Sequence, residues 1–145
     1  MEGDGNIMNN EALIIEAKMA REHAYAPYSH FHVGAALLTK SGKIYHGCNI
    51  ENAAYSPSNC AERTAFFKAI YEGEREFEKI AIVGGAEGTD GDDLCAPCGV
   101  CRQVMMEFCP SDFQIILMDG KDNLLQLQLK DLMPYGFGPD NLAFI

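Results

Sequence analysis

Two short segments carry residues whose types and spacing point to metal chemistry. Cys60 lies two positions before Glu62, and Cys98 lies three positions before Cys101. Thiolates are good zinc ligands, and a site with three protein ligands leaves a fourth tetrahedral position for water. A carboxylate beside that water can accept its proton and pass it to a substrate. These residues predict a catalytic zinc centre in which the three cysteines are ligands and Glu62 carries the proton.

Cys95 leaves an alternative open, because it precedes Cys98 by the same spacing that separates Cys98 from Cys101. A fourth thiolate would close the site and make the zinc structural. Three buried free thiols are a further alternative, since cysteine often behaves as a small buried hydrophobe. Pro97 and Gly99 flank the middle cysteine and favour the pair at 98 and 101, with Cys95 as a neighbouring thiol.

Helix N-termini are expected to position these residues. Periodicity predicts one helix from about Cys60 to Glu72 and another from about Cys98 to Phe108. The first turn of a helix offers unpaired backbone N–H groups and a partial positive charge. That setting lowers the pKa of a thiol and favours the thiolate that binds metal. A carboxylate in the same turn can reach a metal-bound water.

The remaining elements alternate as in a layered α/β protein, in the order α-β-β-α-β-α-β-β. Helices must cover a sheet, so we expect a three-layer α/β/α domain around a mixed five-stranded sheet. Residues 1–9 are predicted to form a flexible tail, and residues 10–145 a single domain. The first helix is predicted over 11–24, the strands over 31–39, 43–48, 78–83, 113–118 and 125–129, and a Gly- and Asp-rich loop over 84–96.

Composition excludes several functional classes. The chain has 145 residues, with 11 Lys+Arg against 21 Asp+Glu and a formal net charge of −10. That charge argues against binding to the phosphate backbone of a nucleic acid, which needs a basic face. No apolar run approaches the roughly 20 residues of a membrane span. The N-terminus does not resemble an export signal, so we expect a cytoplasmic protein whose cysteines bind metal rather than form disulfides.

The sequence resembles the small homotetrameric zinc-dependent cytidine deaminases. Cys-Ala-Glu at 60–62 and Pro-Cys-Gly-Val-Cys-Arg-Gln at 97–103 match the signature of zinc deaminases. Tyr-Ala-Pro-Tyr-Ser at 25–29, Phe-His-Val-Gly-Ala-Ala-Leu at 31–37 and Cys-Asn-Ile-Glu-Asn-Ala-Ala-Tyr-Ser at 48–56 are also similar. The resemblance runs from about Glu11 to the C-terminus. The loop at 86–93 is longer and more acidic than this family leads us to expect.

The resemblance implies zinc-dependent hydrolytic deamination of cytidine and 2'-deoxycytidine to the uridine nucleosides, with release of ammonia, as in pyrimidine salvage. Glu62 would move protons to ring nitrogen N3 and to the amino group. Phe31 would pack against the pyrimidine, and Ala61 would also contact the substrate. Asn49 and Glu51 would bind the ribose hydroxyls. Strand core for Phe31 and a polar turn for Asn49 and Glu51 are the structural alternatives.

The resemblance also implies roles outside the substrate. Three thiolates and Zn²⁺ sum to a charge of −1, and Arg63 would hydrogen-bond the ligand sulfurs and offset it. Phe137 would enter the pocket of a neighbouring subunit in a homotetramer. A surface ion pair for Arg63 and plain packing for Phe137 are the structural alternatives.

Other functions remain open from the sequence. A deaminase of a related cytosine nucleoside, such as an antibiotic, would keep the zinc chemistry but change the sugar contacts. A structural-zinc interaction module would have four thiolate ligands. A nucleic-acid deaminase is disfavoured, because the chain is short and acidic and has no evident basic channel.

Overall fold

The computed structural model describes residues 8–142, in which the predicted strands and helices follow one another in the expected order. The strands of this part are β1 (Phe31–Thr39), β2 (Ile44–Cys48), β3 (Phe77–Ala86), β4 (Gln114–Met118) and β5 (Leu124–Gln128). The helices are α1 (Asn10–Arg21), α2 (Ala61–Tyr71), α3 (Gly99–Phe108) and α4 (Leu129–Leu132), with a 3-10 turn at Pro139–Asn141. Within 8–142, the helices are all too short or too polar to cross a membrane.

The strands form one mixed sheet in the order β2-β1-β3-β4-β5. β1 is antiparallel to β2 and β3, β3 is parallel to β4, and β4 is antiparallel to β5. The parallel pair needs a crossover connection, which contains α3. β1 and β3 are buried over most of their length, as expected for strands covered on both faces.

Alternate residues of β1 face opposite helical layers, because strand side chains alternate between the faces of a sheet. Ala36 and Leu38 belong to the core that includes α1, whereas Ala35 and Leu37 belong to the core that includes α2 and α3. The predicted three-layer arrangement around a mixed five-stranded sheet is therefore confirmed.

Each helical layer approaches the sheet at a glycine. A Cβ added to Gly34 of β1 would lie 2.1 Å from the backbone oxygen of Ala17 in α1. A Cβ added to Gly47 of β2 would lie 2.2 Å from the backbone oxygen of Ala61 in α2. Gly47 therefore sets the distance between the sheet and the helix that begins after Cys60.

Some element ends differ from the sequence predictions. β3 continues through Ala86 instead of ending near Val83, because Gly84 and Gly85 pair with β1 rather than starting a loop. α1 ends at Arg21. The chain then continues to Ala24 in tight turns, in which each backbone N–H donates a hydrogen bond to the carbonyl three residues before it. Leu129 begins the short helix α4 instead of ending β5, and α4 was not predicted.

The predicted flexible tail at 1–9 lies outside the described residues except at Met8 and Asn9. Asn9 is the N-cap of α1, and its side-chain oxygen accepts a hydrogen bond from the Ala12 N–H at 2.7 Å. This satisfies one of the free N–H groups at the start of that helix.

We predict that Gly47→Ala lowers the free energy of unfolding by about 1–3 kcal/mol, the usual cost of overpacking. The methyl group would meet the backbone of α2 rather than a movable side chain. Denaturant unfolding of the purified variant measures the change. Gly99→Ala is the matched control, because its added Cβ has no neighbouring atom within 4 Å. Equal losses in the two variants would contradict the prediction.

Candidate metal centre and adjoining cavity

Three of the six cysteines meet where α2 and α3 begin. Cys60 is the N-cap of α2, Cys98 is the N-cap of α3, and Cys101 lies in the first turn of α3. Their sulfur atoms all lie within 4.8 Å of one another, and the Cys60 and Cys98 sulfurs are 3.7 Å apart. Neither N-cap thiol caps its helix by a side-chain hydrogen bond. The sulfurs are thus free to bind a common ion.

The thiols are electrostatically coupled in a way that suits a metal cation. Hydrogen bonding with Cys101, and then with Arg63, lowers the pKa of Cys60 to about 5. The same contact with Cys60, together with burial, raises the pKa of Cys101. Cys60 is thus the thiol of the pair whose thiolate is favoured. A divalent metal displaces the protons that remain on cysteine ligands when they bind it as thiolates. The donor set fits zinc.

Arg63 lies directly against this group. Its Nη2 donates a hydrogen bond to the Cys60 sulfur at 3.4 Å, as the resemblance implied. Hydrogen bonds with Cys60 and Cys101 raise the pKa of Arg63. Its Nε is buried and has no hydrogen-bond partner within residues 8–142. A fixed positive charge therefore faces the sulfurs from the third position of α2.

Glu62 is buried although it carries a carboxyl group. Its side chain lies at the start of α2 and is only 4% exposed. Burial raises the pKa of Glu62 to about 7, and the nearby Cys60 contributes in the same direction. The group can therefore exist in both protonation states near neutral pH, as a proton carrier must.

Cys95 is outside the three-sulfur group found among the described residues. Its sulfur packs against Gly84, where an added Cβ would lie 2.6 Å from it. Burial raises the pKa of Cys95 to about 12, and the nearby Glu62 and Cys60 reinforce this. A neutral thiol that contacts the sheet fits the interpretation of Cys95 as a neighbouring group better than that of a fourth ligand.

A cavity of about 430 Å³ opens beside the three sulfurs. This volume falls within the usual range for small-molecule sites, roughly 300–1,000 Å³. The cavity is lined by predicted site residues and by others: Ser29, Phe31, Val33, Asn49, Glu51, Ser58, Asn59, Cys60, Ala61, Glu62, Arg63, Cys95, Ala96 and Cys98. The fold thus brings residues from the β1 start, the loop after β2 and both helix starts to one space.

Phe31 and Asn49 are joined through the backbone of β1. The Asn49 side chain accepts from the Val33 N–H at 2.9 Å and donates to the Phe31 carbonyl at 2.8 Å. The Phe31 ring approaches Gly84, where an added Cβ would lie 3.1 Å from it. Asn49 therefore fixes the start of β1 and, through it, the ring that lines the cavity.

Glu51 is held by the turn before β1. Its Oε1 accepts hydrogen bonds from the N–H groups of Tyr28 at 3.0 Å and Ser29 at 3.1 Å, and its Oε2 accepts one from the Ser29 hydroxyl. These bonds, the Ser29 hydroxyl first, lower the pKa of Glu51. Sequence analysis did not single out Ser29, and its only signal was its place in the Tyr-Ala-Pro-Tyr-Ser segment.

The acidic loop Ala86–Asp93 is fixed by α1. Arg21 donates hydrogen bonds to the carbonyls of Gly85, Ala86 and Thr89 at 2.9–3.0 Å, and Lys18 pairs with Asp92. The last turn of α1 thus positions the loop that leads to Cys95 and the α3 cysteines. This contact was not foreseen from the sequence.

Phe137 does not line the cavity of its own chain. Its side chain is 58% exposed, and its carbonyl accepts a hydrogen bond from Gln103 Nε2 of α3 at 2.8 Å. α3 therefore anchors the C-terminal segment by its backbone and leaves the aromatic ring outside.

Comparisons with known proteins agree with this geometry. The family model of the cytidine and deoxycytidylate deaminase zinc-binding region matches residues 8–117. A cytidine deaminase from Sporosarcina psychrophila is 50% identical, covering 94% of this chain and 97% of the relative. One from Halalkalibacterium halodurans is 46% identical, covering 93% and 98%.

Solved structures give the same result at the level of the fold. The crystal structure of a cytidine deaminase from Burkholderia pseudomallei superposes with a TM-score of 0.81. Its chain is 49% identical, with 90% of this chain and 100% of that chain covered. The region matched by the family model binds zinc, which fits the three-thiol group. The chain belongs to the family of zinc-binding cytidine and deoxycytidylate deaminases.

Proposed function

We propose that this protein catalyses the zinc-dependent hydrolytic deamination of cytidine and 2'-deoxycytidine, with release of ammonia. The observation that carries the proposal is a group of three sulfurs that lies, with a buried carboxyl group, beside a nucleoside-sized cavity. The likeness to enzymes named cytidine deaminase over more than nine-tenths of the chain supports the substrate.

Cys60, Cys98 and Cys101 would hold the zinc. When bound, zinc supplies the Lewis acidity that makes water a nucleophile near neutral pH. Two helix N-termini and Arg63 face the sulfurs and offset the excess negative charge of three thiolates. These groups favour the deprotonated ligands without adding a fourth protein ligand.

Glu62 would move two protons in each cycle. It first takes a proton from the attacking water and gives it to ring N3, which makes C4 electrophilic. It then takes the proton of the new C4 hydroxyl and gives it to the amino group, which leaves as ammonia. Glu62 ends in the state in which it began, and the product is the uridine nucleoside. Its raised pKa suits both transfers.

The rest of the cavity would bind the nucleoside. Phe31 would lie against the pyrimidine, and Ala61 would contact the substrate at the start of α2. Asn49 and Glu51, which also line the cavity, would reach the ribose hydroxyls. A carboxylate that can accept hydrogen bonds from sugar hydroxyls favours a simple ribose over the altered sugar of an antibiotic nucleoside.

The experiment that tests this function is an assay of the zinc-loaded protein on cytidine, with uridine and ammonia followed over time. Stoichiometric formation of both products is expected. Absence of products from a protein with one zinc per chain would contradict the proposal. Turnover of an antibiotic cytosine nucleoside in its place would show an altered substrate.

We predict that Glu62→Gln retains zinc and loses at least about 10²-fold in kcat, the usual scale for a proton-transfer group. The amide keeps the shape of the side chain but cannot carry a proton. Steady-state kinetics and metal analysis of the same preparation measure the two effects. Turnover close to that of the wild type would exclude Glu62 as the proton carrier.

Zinc retention distinguishes a site with three thiolate ligands from a site with four that includes Cys95. We predict that Cys98→Ser and Arg63→Ala lower the zinc content after dialysis against a chelator, because one removes a sulfur and the other removes its compensating charge. Cys95→Ser and Arg75→Ala are the matched controls. Cys95 lies outside the sulfur group, and within residues 8–142 Arg75 donates only to the Ile70 and Glu74 carbonyls. Loss of zinc from Cys95→Ser equal to that from Cys98→Ser would favour a structural four-thiolate site.

The proposal extends to a homotetramer in which Phe137 enters a neighbouring subunit's pocket. Its exposed ring beside an anchored backbone supports this. We predict a tetramer by sedimentation and an increase in the KM for cytidine in Phe137→Ala, with zinc content unchanged. A monomer that is active at working concentration would contradict the shared pocket.

We also propose that the reaction belongs to pyrimidine salvage in the cytoplasm. The partners of the protein would be its nucleoside substrate and further copies of this chain.

A further inference from the structure

Ser29 connects two residues that both line the cavity. Its hydroxyl donates to Glu51 Oε2 and accepts from the Phe31 N–H at 3.0 Å. The hydroxyl therefore acts both as a donor and as an acceptor toward groups of the cavity wall. Ser29 itself lines the cavity, so this bridge lies where a ligand would be bound.

The bridge decides which oxygen of Glu51 is open to a ligand. A carboxylate offers about four lone-pair positions, two on each oxygen. The N–H groups of Tyr28 and Ser29 occupy both positions on Oε1. The Ser29 hydroxyl occupies one position on Oε2, so the remaining position on Oε2 is the one left for a ligand among the described contacts.

The turn that carries Ser29 is fixed on both sides. The His30 N–H donates to the Ala26 carbonyl at 3.0 Å, and the His30 carbonyl accepts from the Glu87 N–H at 2.8 Å. His30 adopts a φ of 56°, a left-handed conformation that a side-chain-bearing residue rarely takes. Surrounding contacts must hold such a conformation in place. The hydroxyl is thus presented by a rigid turn.

We propose that Ser29 is a positioning residue that aims Oε2 of Glu51 at a sugar hydroxyl of the nucleoside. This inference rests on the proposed function and deepens it, because it assigns sugar selectivity to a residue that acts through Glu51. A carboxylate held in its binding orientation loses less conformational freedom when the ligand arrives. Without the Ser29 hydroxyl, Oε2 is free to rotate away or to be taken by water.

The role predicts a defined kinetic pattern. Ser29→Ala should lower kcat/KM for cytidine about tenfold, mainly through KM, because a remote binding contact is weakened rather than the proton transfer. Ser29→Thr keeps the hydroxyl and should stay within about twofold to threefold of the wild type. With 2',3'-dideoxycytidine, which lacks both hydroxyls, Ser29→Ala should match the wild type.

A double-mutant cycle with Glu51→Ala tests whether Ser29 acts through Glu51. If it does, Ser29→Ala causes no further loss in the Glu51→Ala background, since coupled residues are not additive. Ser41→Ala is the matched control, because its hydroxyl also donates to a carboxylate, that of Glu74 at 3.3 Å, but lies outside this cavity. It should leave the kinetics on both nucleosides unchanged.

Several outcomes would overturn the inference. Equal losses from Ser29→Ala with and without Glu51, or on both nucleosides, would mean that Ser29 acts through Phe31 or the fold. A loss below about twofold on cytidine would mean that the hydroxyl is not needed. Melting temperature and zinc content verify folding, and Ser29→Gly replaces the alanine variant if that variant is unstable. A wild-type protein without cytidine turnover would overturn the proposed function and this inference with it.

Discussion

The meeting of two helix N-termini at one point is the constraint on which the rest of this structure depends. Three sulfurs lie within 4.8 Å of one another, and like charges at such separations repel strongly when they are partly buried. The helix ends, the Arg63 guanidinium and a divalent cation are the groups that offset this repulsion. Burial of Glu62 in the same place makes the centre suited to proton transfer.

The layered packing supplies the precision that this centre needs. α2 lies against the backbone of β2 at Gly47, and α3 lies in the crossover between the parallel strands β3 and β4. Both helices are therefore fixed relative to the same sheet. Packed interiors tolerate little displacement, so the sulfurs can be held at ligand distances before a metal binds.

The cavity brings together segments with different tasks. The helix starts carry the sulfurs and the buried Glu62, whereas the start of β1 and the loop after β2 carry the Phe31 ring and the Glu51 carboxylate. Asn49 and Ser29 each hydrogen-bond the backbone of Phe31. Both connect it to the loop after β2, because Asn49 belongs to that loop and Ser29 donates to Glu51 within it. The Phe31 ring and the Glu51 carboxylate are thus connected through one strand end.

The sequence determined the layers and the central chemistry of this protein. Helical and strand periodicity, together with the turn residues, predicted the element order, because the local patterns agree with the global fold. The two cysteine segments predicted the metal group, since both lie at helix starts that bring their own electrostatics. Family resemblance added Phe31, Asn49 and Glu51, which the structure places in one cavity.

Only the tertiary structure decided the contacts between distant segments. Gly84 and Gly85 suggested a loop, yet pairing with β1 keeps them in β3. Spacing allowed Cys95 as well as Cys101 to pair with Cys98, and the flanking Pro97 and Gly99 only favoured Cys101. The path of the chain after β3 places the Cys95 sulfur against Gly84 of the sheet. The hydrogen bonds of Ser29 and Arg21 could not be predicted from the sequence either. Local sequence reports local preference, whereas these contacts depend on where the sheet brings remote backbone groups together.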